Sequence, residues 1–159
     1  DWATKPEARS ALWTMRHNAY YAILASRPGA RAIVTDICVP ISRLAEAIEQ
    51  TRADLAQAGV PGPILGHVGD GNFHAILLVD GADEAAITRA KAASDRMVER
   101  ALAMGGTATG EHGIGVGKLG YMAREHGGGW GVMGAIKAAL DPLNIMNPGK
   151  LVPPVGDKR

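Results

Sequence analysis

Four residues of this 159-residue chain have types and spacings that could do chemistry. His67 and His74 flank a break in the stretch GHVGDGNFH, and Glu111 and His112 lie between glycines in the stretch GEHG. Two imidazoles and one carboxylate can bind a divalent ion and leave positions open for a reacting molecule. These residues therefore predict a metal site, provided that the fold brings them together.

The Asp70-Gly71 dipeptide favours a two-residue hairpin turn. Such a turn places His67 directly opposite His74, with both imidazoles on one face of the sheet. In a single continuous strand, a spacing of seven residues would put them on opposite faces. We also expect Asn72 to serve the turn. The alternative interpretation is that both histidines only pack on the strands.

The elements that must position these residues predict an α+β fold, with a small antiparallel sheet and helices on one face. A glycine-rich loop over 107–117 follows the longest helix, for which Asp83 is the expected N-cap. Helices are predicted at 6–26, 41–58, 83–104, 118–126 and 130–140, and strands at 31–39, 63–68 and 72–80.

Composition excludes several classes of function. The formal charge is +1 without a basic stripe, which argues against nucleic-acid binding. Hydrophobic residues make up 47% of the chain, which indicates a globular protein, and no apolar run is long enough to cross a bilayer. The single cysteine excludes an internal disulfide. No signal peptide is visible, and the start at Asp1 suggests a piece of a longer chain.

Three stretches, GHVGDGNFH, GTATGEHGIGVGK and IKAALDPLNIMNPGK, resemble the C-terminal half of FAD-linked oxidases of the vanillyl-alcohol-oxidase type. LWTMRHNAYYA and TDICVPISRL are most similar to the cytochrome-linked D-lactate dehydrogenase branch. The resemblance covers residues 11–151. It implies that residues 1–106 form part of a ferredoxin-like substrate or cap domain. Residues 107–159 would be a C-terminal segment packed against an FAD-binding domain.

The resemblance implies a reaction in which a D-2-hydroxy acid, D-lactate above all, is oxidised to the 2-oxo acid with hydride transfer to FAD. It makes His67, His74 and Glu111 ligands of a divalent ion (Zn, Mn or Fe), and His112 the base that removes the hydroxyl proton. A neutral imidazole suits that role, because histidine titrates near neutral pH.

Two further residues gain roles from the resemblance. Arg16 would bind the substrate carboxylate through paired hydrogen bonds, and Asn147 would approach the flavin. From the residues alone, they could equally be a solvated helix arginine and a turn asparagine. Val34 and Ile76 stand where 2-hydroxyglutarate dehydrogenases carry a lysine and a polar residue. This difference favours a smaller, more apolar substrate.

The resemblance also predicts partners and location. FAD would be bound mostly by an absent N-terminal domain, so the fragment should be inactive alone. The electron acceptor would be cytochrome c, a quinone or an electron-transfer protein, and a homodimer is possible. We expect a cytoplasmic location, with peripheral attachment to the inner membrane as the alternative. In a eukaryote, the expected location is the mitochondrion. The alternatives are a glycolate oxidase or D-2-hydroxyglutarate dehydrogenase, a flavin-free metal-dependent hydrolase or lyase, and a non-catalytic module.

Overall fold

The computed structural model describes residues 2–152, which form five α-helices and a four-stranded antiparallel sheet. The predicted α+β class is confirmed, and each predicted helix is present. Asp83 caps the third helix, because its Oδ1 accepts a hydrogen bond of 2.8 Å from the Ala86 N–H. The elements are α1 (Pro6–Ala25), β1 (Ala30–Val34), β2 (Ile37–Cys38), α2 (Leu44–Ala58), β3 (Ile64–His67), β4 (Asn72–Asp80), α3 (Glu84–Ala103), α4 (Leu119–His126) and α5 (Gly128–Leu140).

The predicted continuous strand over 31–39 is wrong, because Thr35 and Asp36 interrupt it. β1 and β2 nevertheless pair with β4 in one common register. At the break, the Thr35 N–H still donates to the Ala75 carbonyl at 3.0 Å. The Ala75 N–H, however, donates to the Thr35 hydroxyl at 2.8 Å rather than to its carbonyl. The Thr35 carbonyl is thereby released from the ladder and is free to contact a side chain.

The predicted two-residue turn is also wrong. A 3₁₀ turn at Val68–Asp70 lengthens the connection, so His67 lies opposite Asn72 while Leu65 lies opposite His74. Asn72, expected in the turn, is instead a buried residue of β4. Because side chains alternate with a period of two, this two-residue shift leaves both histidines on the same face.

The hydrophobic core lies between the sheet and the pair α2 and α3. Every second residue of β4 points into it, while the alternate residues point to the other face and include His74. β4 and β2 supply the strand residues of the core, which pack against buried residues of α2 and α3. Its members include Ile37, Phe73, Ala75, Leu77, Val79, Ala47, Leu55, Ala93 and Met97. β4, buried over eight of its nine residues, is therefore a rigid platform for the site.

Within residues 2–152, no helix has the length and apolar character needed to cross a bilayer. The division of the chain near residue 106 stays a prediction. Residues 153–159 of the predicted C-terminal segment lie outside the described part of the chain.

Candidate active site

The structure brings His67, His74 and Glu111 together. His74 Nε2 lies 2.9 Å from Glu111 Oε1, and His67 Nδ1 lies 3.6 Å from Glu111 Oε2. One ligand atom from each residue lies within 4.8 Å of the others. Two imidazole nitrogens and one carboxylate oxygen fit Zn²⁺, Mn²⁺ or Fe²⁺, and they leave coordination positions free. The donor set therefore agrees with the predicted metal site, although the ligand roles stay predictions.

The break in the first edge strand fixes the orientation of His74. Its Nδ1 lies 3.0 Å from the Thr35 carbonyl, which can only accept, so Nδ1 carries a proton and donates. In the neutral ring, Nε2 then presents a lone pair to Glu111. Two lone-pair atoms 2.9 Å apart repel each other unless a proton or a cation lies between them. This backbone contact prepares His74 as a ligand, as carbonyl partners do at metal sites.

His112 lies beside the proposed ligands. Its ring stacks on that of His74, with centroids 4.9 Å apart and an angle of 7° between the planes. Its Nε2 lies 3.7 Å from Glu111 Oε1, and 49% of its side chain is exposed. The ring is thus held on one face and open on the other, where a substrate hydroxyl could approach.

A buried carboxylate that the sequence analysis missed holds the loop that carries these residues. Asp36 Oδ2 accepts hydrogen bonds from the Thr109 hydroxyl at 2.8 Å and the His112 N–H at 2.9 Å. The Glu111 N–H donates to both carboxylate oxygens at 3.2 Å. Lys118 Nζ donates to the Asp36 carbonyl at 2.7 Å and lies 3.3 Å from Oδ2.

These contacts keep Asp36 ionised although it is buried. Burial opposes ionisation, but the hydrogen bonds from His112 and Thr109 and the charge of Lys118 outweigh it and lower the pKa of Asp36 to about 2. The pKa of Lys118 is itself lowered, since the effect of burial exceeds that of the nearby Asp36 charge. The signal in the sequence was a Thr-Asp pair inside an otherwise apolar strand.

The glycine-rich loop also needs Gly110 to sit against β4. A Cβ at Gly110 would lie 2.4 Å from Asn72 Oδ1, so a side chain there would have to displace the Asn72 amide. That oxygen is buried, and it has no hydrogen-bond partner within the part of the chain that the structure describes. Asn72 lies on the same face of β4 as His74. An unpaired polar atom thus borders the site on the side of the loop.

A cleft of 450 Å³ opens over the imidazoles. Arg16 of α1 lines it, as its predicted role requires, and so do the predicted apolar positions Val34 and Ile76. The sequence analysis missed two further wall residues, Tyr20 and Leu65. The cleft therefore combines the guanidinium of Arg16, an apolar wall and the cluster of His74, Glu111 and His112.

Asn147 lies elsewhere. It is exposed, has a φ of +47° and lines a separate cleft of 460 Å³ with Leu140, Met146 and Lys150. The structure therefore does not group Asn147 with the histidines. Its predicted approach to a flavin stays a prediction.

Comparisons with known proteins show the family of the chain. A family model described as FAD linked oxidases, C-terminal domain, matches residues 1–151, so the chain belongs to that family. A protein named probable D-lactate dehydrogenase, mitochondrial, from Danio rerio is 51% identical over 152 residues, which are 95% of this chain and 31% of the relative. The mitochondrial cytochrome-type D-lactate dehydrogenase of Arabidopsis thaliana is 44% identical over 96% of this chain and 27% of its own length.

More distant relatives are named as a glycolate oxidase subunit and a D-2-hydroxyglutarate dehydrogenase. Among solved structures, 4-ethylphenol oxidase from Gulosibacter chungangensis matches with a TM-score of 0.67 and 19% identity, over 96% of this chain and 32% of that one. This similarity establishes the fold alone. The chain spans 31% and 27% of the length of the two more similar relatives.

Proposed function

We propose that this chain is the substrate- and metal-binding part of a flavin-dependent dehydrogenase that oxidises a D-2-hydroxy acid, D-lactate above all, to the 2-oxo acid. The observation that carries the proposal is the convergence of His67, His74 and Glu111, two of which line one cleft together with His112. Because the chain covers 31% and 27% of its two more similar relatives, the complete reaction needs the rest of the protein.

Substrate binding follows from the walls of the cleft. Arg16 binds the substrate carboxylate through two parallel hydrogen bonds, for which a guanidinium is shaped. Val34 and Ile76 offer an apolar surface to the methyl group of lactate and no partner for a second carboxylate. The cleft thus favours a short monocarboxylate over 2-hydroxyglutarate, whereas glycolate would also fit it.

Proton removal falls to His112. Its exposed ring accepts the hydroxyl proton, while stacking on His74 limits its rotation. When bound, the divalent ion supplies Lewis acidity at the hydroxyl oxygen, and FAD supplies the hydride acceptor. His67, His74 and Glu111 would hold that ion. The exposed Asn147 would approach the FAD.

Electrons would then leave by way of a cytochrome, a quinone or an electron-transfer protein. The cytochrome-type relative of Arabidopsis supports the first of these. Because both of the more similar relatives are named as mitochondrial, we propose that location if the source is a eukaryote.

The test uses the complete protein under anaerobic conditions. D-lactate should bleach the flavin absorbance, whereas L-lactate should not. Arg16, His112 and the apolar wall fix the carboxylate, the hydroxyl and the methyl group, so only one enantiomer turns its C2 hydrogen to the flavin. D-2-hydroxyglutarate should act far more slowly. A colourless protein that still consumed substrate would instead support a flavin-free hydrolase or lyase.

A further inference from the structure

Asp36 contacts the backbone of both proposed active-site residues in the glycine-rich loop, although it is not one of the three proposed ligands and does not line the cleft. Its carboxylate also lies close enough to His74 and His112 to share an ion with them. Its side chain is 2% exposed, and the N–H groups of the consecutive residues Glu111 and His112 point at its carboxylate. These two N–H groups lie in the two peptide planes that flank the Glu111 Cα, so holding both limits the φ and ψ of Glu111. These angles set the direction of the Glu111 side chain and the position of the His112 Cα.

We propose that Asp36 is a positioning residue that holds the Glu111–His112 segment against His74, so that the carboxylate reaches the ligand position and the imidazole reaches the substrate. The assignment of the two side chains rests on the proposed function. The positioning itself rests only on the hydrogen bonds of Asp36.

The surroundings of Asp36 explain why a carboxylate is needed there. Three of its four donors, from Thr109, His112 and Lys118, reach Oδ2, and the Glu111 N–H is shared between both oxygens. An asparagine has one acceptor and one donor, so in either orientation its NH₂ group faces a donor. It would also remove the carboxylate charge with which the ammonium of Lys118 pairs.

Two neighbouring features limit the alternatives open to the loop. Gly110 already lies against Asn72 on β4, so the segment cannot move closer to the sheet. The strand break that turns the Asp36 carboxylate toward the loop also releases the Thr35 carbonyl to His74. One irregularity of the edge strand therefore orients groups on both sides of the proposed metal site.

Asp54 provides a matched control. It is another shielded aspartate, 16% exposed, and it pairs with Arg100 and Arg96 between α2 and α3. The substitution Asp54→Asn removes the charge of this carboxylate, and with it a partly buried ion pair on the helical side of the sheet. The variant should lose stability and leave the loop unchanged.

The experiment compares the complete protein with Asp36→Asn, Asp54→Asn and Glu111→Gln after removal of metal with a chelator. Amide hydrogen exchange of residues 109–112 is measured first, at a temperature where all variants are folded by circular dichroism. The affinity for Mn²⁺ alone is measured second, by the loss of the free-ion EPR signal. Glu111→Gln provides the reference for loss of a ligand.

In Asp36→Asn we expect faster exchange over 109–112 and Mn²⁺ binding weakened by about 10- to 100-fold, the range for partners of metal ligands. In Asp54→Asn, the exchange rates over 109–112 and the affinity for Mn²⁺ should match those of the unmodified protein. Unchanged exchange in Asp36→Asn overturns the proposal, and so does faster exchange with unchanged Mn²⁺ affinity. If the unmodified protein binds no Mn²⁺, the metal part of the proposed function fails, while faster exchange still supports Asp36 as the residue that holds the loop.

Discussion

Two buried aspartates organise two loops of this protein in similar ways. Asp36 accepts from two consecutive backbone amides of the glycine-rich loop and pairs with Lys118. Asp141 accepts from the N–H groups of Ile145 and Met146 at 3.0 and 2.9 Å and pairs with Lys137. The glycine-rich loop carries Glu111 and His112, and the loop after α5 carries the exposed Asn147.

The two arrangements differ in sequence separation. The partners of Asp36 lie 73 to 82 residues away, whereas those of Asp141 lie 4 or 5 residues away. A local turn can form as soon as α5 ends. The long-range contact needs the sheet to be in place, because the entropy of closing the intervening chain must be offset by the core. The reactive loop therefore depends on the whole fold, and the C-terminal turn does not.

We expect the largest effect from a substitution in the glycine-rich loop that Asp36 holds, and it tests whether this loop carries the catalytic base. In the complete protein, His112→Ala should slow flavin reduction by D-lactate by about 10²- to 10⁴-fold, the range for loss of a general base. Its metal content should stay normal, because His112 is not a proposed ligand. Stopped-flow absorbance checks the rate, with His126→Ala at the end of α4 as the control. Flavin reduction at the normal rate would contradict the role of His112.

The next effect concerns the metal. Glu111→Ala removes one of three proposed ligands, so the purified protein should lose its divalent ion. Glu99→Ala removes an exposed carboxylate paired with Arg124 on the surface and should retain the ion. Atomic emission analysis of both variants makes the comparison. Equal metal content would show that Glu111 does not bind the ion.

Much of the fold and of the site was predictable from local patterns. The helices follow the 3.6-residue period, and glycines and prolines mark their ends, so all five were predicted. The two histidines were expected on one face of a hairpin, and they lie there although the turn differs. The prediction of a common face survived the wrong turn, because a register shift of two residues leaves every side chain on the same face of the sheet.

What the sequence did not reveal depends on tertiary contacts. Thr35 and Asp36 lie within a β-branched run, and nothing local shows that donors more than 70 residues away will interrupt it. Asn72 was predicted as a turn residue, because its type fits a turn as well as the strand it occupies. The local Asp141 turn involves neighbours in sequence, and such contacts are the ones that sequence patterns describe.

A third prediction compares the stabilities of the two regions. Asp36→Ala should lower the free energy of unfolding by about 3 kcal/mol, the lower end of the range for breaking a buried ion pair. Asp141→Ala should lower it by less, as expected for loss of a local capping interaction. Urea denaturation of the chain measures both. Equal losses would show that sequence separation does not govern what these aspartates contribute.

The smallest effect is the pH dependence of the local turn. Its hydrogen bond from Lys137, aided by the Ile145 and Met146 amides, outweighs burial and lowers the pKa of Asp141. A carboxyl group with a lower pKa in the folded state stabilises the fold above the unfolded value, near pH 4, and this contribution is lost as the pH falls through the folded value. The difference in unfolding free energy between the chain and Asp141→Asn should therefore shrink from pH 6 to pH 3. Lys137→Met should remove most of the same dependence, because the Lys137 ammonium is its main cause. A difference that stayed constant over this range would mean that the turn is held without the charge on Asp141.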